Sequence, residues 1–325
     1  MKKRVLSGIR ATGRLHLGNY LGAVKGMLEL QDNPEYETFY MVADVHTITT
    51  PYDVEELRRN RREVILDYLA AGLDPEKSVI FQQSEVNEHL ELSFYLSSVI
   101  TVAKMQHLPT FKDKVKQFPE HVTMALLNYP VLMAADILAY KAQSVPVGID
   151  QEPHLEVARE IARRFNQNYR TNFPEPQSFK TKGEYVPSLT GEGKMSKSVE
   201  GSYINLTDSL EEIKSKIAKI PTDEGRGEEI TGGVKSLFDF VELFEGKEKR
   251  EKLESKYKGE GVRYGEIKNE LSEVIFKELL PIQEKRAEFE NNPELVDKII
   301  SEGNEKARVV ARQTLVEVKK AMGLS

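Results

Sequence analysis

Val5-Leu-Ser-Gly-Ile9 followed by Thr12-Gly-Arg-Leu-His-Leu-Gly-Asn19 is an apolar run with a glycine-rich turn after it. Apolar residues then recur at helical spacing at Leu21, Val24 and Leu28, so the sequence predicts a strand, a turn and a helix. Glycines in such a turn allow a phosphate group to approach the N-terminus of the helix closely. The start of the chain therefore predicts an α/β unit with an anion site at its turn.

The first 200 residues continue this alternation of strand-like and helical stretches. Buried strands are predicted at Phe39–Val45, Val79–Phe81 and Val145–Gly148, and helices at Glu55–Leu69 and Val131–Tyr140. Such alternation favours a parallel sheet covered by helices, with ligands at the carboxyl ends of the strands. The predicted fold class is therefore α/β with a Rossmann-like parallel sheet.

After Gly201 the sequence changes to long, charged helical stretches with few strand signals. We predict an α/β domain over residues 1–200, with an inserted helical segment around 52–130 and a loop at 193–199, and an all-helical domain over residues 201–325. The helices are predicted at Ser209–Ile220, Lys247–Tyr257, Tyr264–Asn291 and Pro293–Met322, with a linker at Thr222–Gly233.

The composition limits the classes of function. The chain has 325 residues, of which 39% are apolar and 30% charged, and its net charge of −6 argues against a protein that coats nucleic acid through bulk charge. It has no cysteine, which excludes disulfides, thiolate nucleophiles and cysteine-bound metal centres. The apolar run at Val5–Ile9 is too short for a signal peptide and no run has membrane-spanning length, so we expect no membrane contact and a cytoplasmic location.

A second segment, Gly193-Lys-Met-Ser-Lys-Ser198, carries two lysines three positions apart together with two hydroxyl groups. On a glycine-flanked loop these side chains can close over the phosphates bound at the first turn. The alternative is an ordinary surface loop. Both segments make chemical sense together, as two halves of one triphosphate site.

A third candidate is the apolar segment Asn128–Tyr140, which we predict to be a buried helix with Pro130 as its first helical residue. Its only charge is Asp136, and burying a carboxylate is costly unless donors surround it. One interpretation pairs Asp136 with a core Arg or Tyr. The other leaves it to accept an N–H or O–H group of a ligand. The same helix face carries Tyr129, Met133 and Tyr140.

The segment that follows, Ser144–His154, leads into an amphipathic helix predicted at Leu155–Asn166. Taken singly, Asp150 is explained as a cap of that helix and His154 as a residue on its surface.

Larger matches change this interpretation. Tyr129-Pro-x-Leu-Met-Ala-Ala-Asp136 followed by Val145-Pro-Val-Gly-x-Asp-Gln151 resembles bacterial-type tryptophanyl-tRNA synthetases, which are class I aminoacyl-tRNA synthetases. The two phosphate segments resemble the HIGH and KMSKS motifs of that class, and the KMSKS match is letter for letter. The resemblance continues through Val42–His46, Thr110–Lys114, Glu305–Arg308 and Ala321–Leu324 and so covers nearly the whole chain.

The resemblance implies ATP-dependent activation of L-tryptophan to tryptophanyl-adenylate, followed by transfer of the tryptophanyl group to tRNA(Trp). It also implies that residues 1–200 are the catalytic domain, that the inserted segment around 52–130 is a dimerisation segment of a homodimer, and that residues 201–325 bind the tRNA anticodon. The implied Mg²⁺ is held mainly by the ATP phosphates rather than by protein ligands. Because the tryptophan carboxylate is itself a nucleophile, catalysis must come from positioning and from stabilising the leaving pyrophosphate.

Site residues follow from the same resemblance. Asp136 is expected to accept the indole N–H, since indole is a donor only. The other implied tryptophan contacts are Gly8, His46, Tyr129, Met133, Val145, Val147 and Gln151. The implied ATP contacts are Arg10, Ala11, Thr12, Gly18, Asn19, Gly148, Ile149, Asp150, Val186, Lys194, Met195, Ser196, Lys197 and Ser198. The implied catalytic side chains are His16, Lys114, Lys194 and Lys197.

The chain departs from the family pattern at a few positions. The family usually has Gln-Pro where this chain has Arg10-Ala11, and often an aromatic residue at the position of Leu6. These changes affect contacts to ATP and one wall of the pocket rather than the reaction. Without cysteine, the chain also has no ligands for the iron–sulfur cluster of some family members.

Three other functions are compatible with parts of the sequence. A tyrosyl-tRNA synthetase shares the fold and the ATP motifs, but Val145-Pro-Val-Gly148 favours the tryptophan enzyme. A regulatory, non-catalytic relative has no need for the phosphate lysines, and a small nucleotidyltransferase has no need for the long helical region. Basic candidates for tRNA contact are Arg58, Arg59, Arg61 and Arg62, for which the alternative is a solvated helix face. Two more candidates are Arg308 and Arg312, for which the alternative is pairing with acidic neighbours such as Glu305.

Overall fold

The computed structural model describes residues 2–146, 148, 151–179, 185–197 and 199–325, and five strands of this part of the chain form one parallel sheet. The strands are β1 (Lys3–Arg10), β2 (Tyr36–Ala43), β3 (Ser78–Gln82), β4 (Ser144–Pro146) and β5 (Gln177–Phe179). Their order across the sheet is β3-β2-β1-β4-β5. The predicted parallel sheet is confirmed, and β5 is an addition to the predicted strands.

The direction of winding reverses beside β1. From this strand the chain adds β2 and β3 on one side and later β4 and β5 on the other. Strand β1 pairs with β2 from Lys3 opposite Tyr36 to Arg10 opposite Ala43. In open parallel sheets, the crevice at the carboxyl ends of the strands on either side of such a reversal is the usual ligand site. The fold therefore directs attention to the ends of β1 and β4.

Nine α-helices and one π-helical turn accompany the sheet in the described part of the first 200 residues. The glycine-rich turn after β1 leads into α1 (Leu17–Asn19), a π-helical turn (Tyr20–Val24) and α2 (Lys25–Gln31), so the predicted helix is present in three short pieces. The others are α3 (Asp44–Thr47), α4 (Val54–Ala70), α5 (Glu88–Ser97), α6 (Val102–His107), α7 (Pro109–Gln117), α8 (Met124–Ala139) and α9 (Glu152–Tyr169), together with short 3₁₀ turns at Gln83–Glu85 and Pro119–His121.

Side chains alternate between the two faces of the sheet, as the pleat of a strand requires. Leu6, Phe39 and Met41 belong to one buried cluster with α8 and α9, whereas Tyr40 and Val42 belong to a second cluster with α4. Both faces are thus covered by helices, which explains why the strands read as continuous apolar runs.

Helix α8 begins at Met124, and the predicted start at Pro130 is wrong. The side chain of Thr123 accepts the backbone N–H of Leu126 and so caps the helix one and a half turns earlier. Pro130 then lies inside the helix, where its missing N–H leaves the carbonyl of Leu126 without its usual partner. Burial of almost every side chain after Pro130 outweighs the loss of that one hydrogen bond.

The region after residue 200 is helical, as the sequence predicts. It contains α10 (Leu210–Ala218), α11 (Gly232–Glu245), α12 (Lys247–Lys258), α13 (Tyr264–Glu290) and α14 (Pro293–Ala321). Helix α11 is missing from the predicted elements, although Val234, Leu237, Phe238 and Val241 recur at helical spacing and are buried. Among the described residues, no helix combines the length and the apolar character needed to cross a membrane.

The last helix returns to the sheet. The side chain of Asn304 on α14 accepts the backbone N–H of Gln82 at 2.9 Å, and a Cβ on Gly303 would overlap the carbonyl oxygen of Ile80. A glycine is required there because helix and strand approach so closely. Helix α14 thus packs on β3. The division at residue 200 and the inserted segment around 52–130 stay predictions.

Candidate active site

His16 begins the helical turn after β1. Its Nδ1 accepts the backbone N–H of Asn19 at 3.3 Å, and the side chain of Asn19 accepts the backbone N–H of His16 at 3.2 Å. This reciprocal capping fixes the imidazole at the N-terminus of the helix. Since Nδ1 is the acceptor, a neutral imidazole carries its proton on Nε2 and presents that atom as a donor.

The charge state of His16 follows from its surroundings. Burial, and then the positive charges of Lys197 and Lys194, lower the pKa of His16 to about 4. The side chain is therefore neutral near pH 7 and available as a hydrogen-bond donor. The effect of both lysines on its pKa also places the second phosphate segment beside the first.

Direct contacts confirm that the two phosphate segments meet. The backbone N–H of Gly18 points to Sδ of Met195 at 3.3 Å, and a Cβ on Gly13 would lie 2.6 Å from Nζ of Lys197. Gly13 also has a φ of 124°, which strongly favours glycine. The loop itself is a small antiparallel turn, held by the hydrogen bond from Met195 N–H to the carbonyl of Val186 at 2.9 Å. Ser198, which completes the motif, lies outside the described residues.

Lys197 is half-buried over the glycine turn. Burial lowers its pKa to about 8, and Arg14 acts in the same direction, while the carboxylates of Asp67 and Glu63 oppose the shift. A lysine with such a pKa is still mostly charged at neutral pH, yet it has lost much of its hydration. It is therefore prepared to bind an anion such as a phosphate group.

Asp136 lies deep in the crevice, with 1% of its surface exposed. Its two oxygens are bound by Nε2 of His46 at 2.7 Å, Nδ1 of His89 at 2.6 Å and Nε2 of Gln83 at 2.8 Å. The predicted pairing with a core Arg or Tyr is wrong for the described residues, because these donors are two imidazoles and an amide. A carboxylate offers about four acceptor positions, so three internal donors leave room for one more.

The donors around Asp136 control its ionisation. Burial alone raises the pKa of this carboxyl, but the charges and hydrogen bonds of His46 and His89 outweigh burial and lower the pKa to about 2. Asp136 is therefore a carboxylate at neutral pH. His89 is in turn fixed by the hydroxyl of Tyr140, 2.7 Å from its Nε2, which completes a buried polar chain.

Tyr129, Gln151 and His154 form a second polar group at the same crevice. The Nε2 atom of His154 lies 2.6 Å from the Tyr129 hydroxyl, and its Nδ1 lies 2.9 Å from Oε1 of Gln151. Thr110 joins the group through its hydroxyl, 2.6 Å from the same Nε2. His154 is buried, so its predicted place on the helix surface is wrong; it packs inward because α9 lies with this face on α8.

Two further cations face this group. Arg10 donates to the hydroxyl of Thr50 at 2.9 Å, and its Nε is buried without a hydrogen-bond partner among the described residues. Lys114 donates to Oε1 of Gln117 at 2.8 Å, and burial followed by the charge of Arg10 lowers its pKa. Lys114 therefore lies close to Arg10, with its ammonium group bound to Gln117.

Apolar side chains line the crevice between these polar groups. Leu6 and Val145 are buried in one cluster, and Met133 packs against it half-buried. Gly8 lies against the neighbouring strand, where a Cβ would stand 2.8 Å from the carbonyl oxygen of Met41. On the ATP side, Ala11 and Val186 are buried, Thr12 is exposed, and the carbonyl of Gly148 accepts the N–H of Gln151. The predicted contacts Val147, Ile149 and Asp150 lie outside the described residues.

The arginine run on α4 is largely paired within the protein. Arg58 pairs with Glu55, Arg61 with Asp44 and Glu85, and Arg62 with Asp297. Three of the four arginines are thus bound to carboxylates of the protein, which favours a structural role for that helix face over contact with tRNA.

Several site residues were beyond sequence reasoning. Gln83, His89 and His154 each contact a predicted site residue, but their spacing in the sequence carries no signal that connects them to it. His89 lies among polar as well as apolar residues in Glu88–Ser97, so its local sequence does not indicate a buried contact with Asp136.

Comparison with known proteins agrees with this geometry. Residues 1–280 match the family model described as tRNA synthetases class I (W and Y). The chain is 41% identical to the tryptophan–tRNA ligase of Porphyromonas gingivalis over 98% of both chains, and 41% identical to that of Thermotoga maritima over 99% of both.

A solved structure extends the match to three dimensions. The tryptophanyl-tRNA synthetase of Campylobacter jejuni, determined with ADP and tryptophan, is 32% identical to this chain, covers 99% of it, is itself covered over its full length, and superposes with a TM-score of 0.86. The parallel sheet, the two phosphate segments in contact and these matches agree. The chain therefore belongs to the class I tRNA synthetases for tryptophan and tyrosine, and within them to the tryptophan–tRNA ligases.

Proposed function

We propose that this chain activates L-tryptophan with ATP to form tryptophanyl-adenylate and then transfers the tryptophanyl group to tRNA(Trp), using the crevice at the ends of β1 and β4. The observation that carries the proposal is the contact between the two phosphate segments. His16, Lys194 and Lys197 meet there beside a pocket whose buried carboxylate, Asp136, is ionised. The cations suit a triphosphate and the carboxylate suits a neutral donor such as an indole N–H.

The first reaction needs no general base from the protein. The carboxylate of tryptophan attacks the α-phosphate of ATP, and pyrophosphate leaves. Lys194, Lys197 and the Nε2–H of neutral His16 stabilise the charge that builds up on pyrophosphate. Gly18 and Asn19 are assigned to the ATP site as parts of the turn that fixes His16. Lys114 reaches the phosphates after a side-chain movement away from Gln117.

Tryptophan occupies the apolar crevice in this proposal. Gly8, Met133 and Val145 flank the indole ring, with Val147 assigned to the same wall, and Asp136 accepts the indole N–H. His46, Tyr129 and Gln151 bind the amino and carboxylate groups. Support comes from two groups of contacts, His46 with Asp136, and Tyr129 with Gln151 through His154. Val145 and Met133 add support because they pack in the apolar cluster of α8 and α9.

The remaining ATP contacts keep the roles that the resemblance assigns. The assignment of Arg10 is supported by its buried Nε, a donor that has no hydrogen-bond partner among the described residues. Gly148 and Asp150 are assigned to the ribose and Val186 to the adenine. Ala11, Thr12, Ile149, Met195, Ser196 and Ser198 complete the proposed set.

Mg²⁺ is part of this proposal as the ion that accompanies the ATP phosphates. The described residues contain no group of three or more His, Asp or Glu side chains that could hold a metal ion. We therefore assign no protein ligand to the ion. When bound, Mg²⁺ adds positive charge to the phosphate oxygens.

Pyrophosphate exchange tests the assignment. Exchange of labelled pyrophosphate into ATP is expected to require tryptophan, with tyrosine at least about 10⁴-fold less effective, because a site built to pair one polar group rejects an analogue that lacks it. Equal exchange with tyrosine would identify the chain as a tyrosine enzyme instead. A folded chain that shows no exchange with any amino acid would contradict the proposed activity and favour a regulatory, non-catalytic relative.

A homodimer also belongs to this proposal. Leu90, Phe94, Val122 and Met124 are large apolar side chains exposed on the neighbouring helices α5 and α8 and the turn before α8, and Phe94 is 75% exposed. Such a patch is typical of a surface that another protein covers. A second copy fits because the predicted dimerisation segment, around 52–130, contains all four. We also propose a cytoplasmic location, where tRNA is charged.

Light scattering after size-exclusion chromatography checks the dimer. Phe94→Glu with Met124→Glu is expected to convert a dimer to a monomer, while Leu295→Glu, at an exposed leucine of α14, leaves the mass unchanged. A double variant of dimeric mass would rule out this surface as the interface.

A further inference from the structure

A buried cluster of charges joins α4 to α13. Asp67 of α4 is fully buried and pairs with Arg286 of α13, which is 3% exposed. Glu63, one turn earlier on α4, binds Nη2 of Arg286 at 2.6 Å. Two carboxylates and one guanidinium thus connect the helical region to the first 200 residues. Buried charges of this kind are costly unless every one is paired.

The same two carboxylates also hold the phosphate turn. The backbone N–H of Leu15 donates to Oδ2 of Asp67 at 2.5 Å, and Nε of Arg14 donates to Oε2 of Glu63 at 2.6 Å. Arg14 and Leu15 directly precede His16 in the turn. Each carboxylate is therefore shared between the turn and Arg286.

One turn of α13 supports the other side of the phosphate turn as well. The side-chain amide of Gln283 donates to the carbonyls of Leu206 at 2.8 Å and Asp208 at 2.9 Å. The N–H of Leu206 in turn donates to the carbonyl of Leu15 at 3.0 Å, and the N–H of Leu17 donates to the carbonyl of Ile204 at 2.8 Å. Helix α13 consequently contacts both supports of the phosphate turn.

Lys197 lies across the turn from this cluster. The charges that act on its pKa are Asp67 and Glu63 of α4 and Arg14 of the turn, and Lys197 itself acts on His16. Among the two carboxylates, Asp67 has the larger effect and favours the charged lysine. Without the charge of Asp67, burial and Arg14 would lower the pKa of Lys197 further, opposed by Glu63.

We propose that Asp67 and Arg286 are positioning residues for the reaction with ATP: through Asp67, α13 holds in place the phosphate turn, against which the ammonium group of Lys197 lies. The inference rests on the proposed role of Lys197 in phosphate binding. It connects the helical region to the ATP site without any contact between α13 and the substrate.

The pH profile of kcat/KM for ATP, measured by pyrophosphate exchange, tests the proposal with Asp67→Asn. The amide keeps an oxygen for the N–H of Leu15 but loses the charge. We expect the alkaline fall in activity to move to lower pH by about half a unit or more, which lowers kcat/KM about threefold above the midpoint, while the KM for tryptophan is unchanged. Asp67→Leu with Arg286→Met replaces the pair by apolar groups and serves where the single variant unfolds.

Asp239→Asn is the matched control. It removes a partly buried ion pair with Arg250 within the helical region and has no described contact with the turn. It is expected to lower the melting temperature and to leave the pH profile unchanged. A profile of Asp67→Asn that coincides with the wild type would overturn the inference, as would a loss of activity that only follows melting temperature.

A separate variant distinguishes this failure from failure of the proposed function. Lys197→Arg keeps a positive charge at all of these pH values and should abolish the alkaline fall. If it does so while Asp67→Asn changes nothing, only the positioning role is refuted. If Lys197→Arg itself leaves the fall in place, the role of Lys197 in the proposed function is wrong.

Discussion

Asp136 is the residue on which the choice of amino acid depends in our proposal. Three internal donors already bind it, and an indole N–H is expected to take its remaining acceptor position. A hydrogen bond to a charged group contributes roughly 1.5–3 kcal/mol, so Asp136→Asn should weaken tryptophan binding roughly 10- to 150-fold and leave ATP binding unchanged. Because the chain contains no tryptophan, indole fluorescence comes only from the substrate, and its change on binding gives the titration curve. Equal titration curves in a folded variant would return Asp136 to a purely structural role.

The same substitution predicts a change in stability with pH. The pKa of Asp136 is lowered to about 2 in the folded protein, so its carboxylate stabilises the fold above the pKa of the unfolded chain, and this contribution is lost as the pH falls through the folded pKa. Urea unfolding of the wild type and Asp136→Asn should therefore differ at pH 6 and converge near pH 2. A difference that stays constant with pH would contradict the ionised state of Asp136.

The pKa of Lys197 determines the pH above which we expect activity to fall. Its pKa of about 8 means that it loses its proton as the pH rises through that value, and the phosphate site then loses one positive charge. In the wild type, kcat/KM for ATP should fall about tenfold per pH unit well above pH 8, if no other group intervenes. Stopped-flow measurement of adenylate formation over this range, with circular dichroism to confirm folding, checks the prediction. A flat profile up to pH 10 would disprove it.

At the scale of elements, the contact of α14 with β3 depends on a glycine. In Gly303→Ala the added Cβ would overlap the carbonyl of Ile80, and overpacking of this kind costs about 1–3 kcal/mol or more. Thermal unfolding should therefore show a clear loss of stability. Gly265→Ala in α13 is the matched control, because its Cβ meets no atom within 4 Å and the change is expected to be neutral or stabilising. Equal melting temperatures would mean that α14 does not pack on β3 in solution.

At the scale of the whole molecule, an acidic protein must bind tRNA through local basic patches. Of the two arginines proposed on α14, Arg308 is paired with Glu305 at 2.5 Å and donates to the carbonyl of Glu85. Arg312 pairs with Glu88 at the longer distance of 3.6 Å, and its side chain is 71% exposed. Arg312→Glu should leave pyrophosphate exchange intact, raise the tRNA concentration needed for charging, and reduce the salt slope of binding by about one.

Lys298→Glu provides the comparison for Arg312, since it reverses an equally exposed charge nearer the start of α14. We expect it to affect charging less than Arg312→Glu. Identical effects of the two variants would indicate a loss of general positive charge rather than a specific contact.

Local sequence was sufficient for most of the elements and for the phosphate motifs. Periodicity predicts β1, α4, α13 and α14 closely. Each of these elements buries apolar side chains along its length, so apolar residues recur through its sequence. Periodicity misplaces the start of α8, where the cap of Thr123 outweighs the preference of Pro130 for a first turn. It also misses α11, whose glycine-rich start is typical of a linker.

The site divides in the same way. The sequence alone predicted the residues that we assign to phosphate chemistry, since the glycines, the lysines and their spacing are local properties and the motif match is local too. Only the tertiary structure decided what surrounds them: the donors His89 and Gln83 on Asp136, the inward position of His154, and the link from Arg286 to the phosphate turn. These contacts join residues far apart in the chain, and a buried charge accepts any donor that the fold brings within reach, so no spacing in the sequence specifies which one it will be.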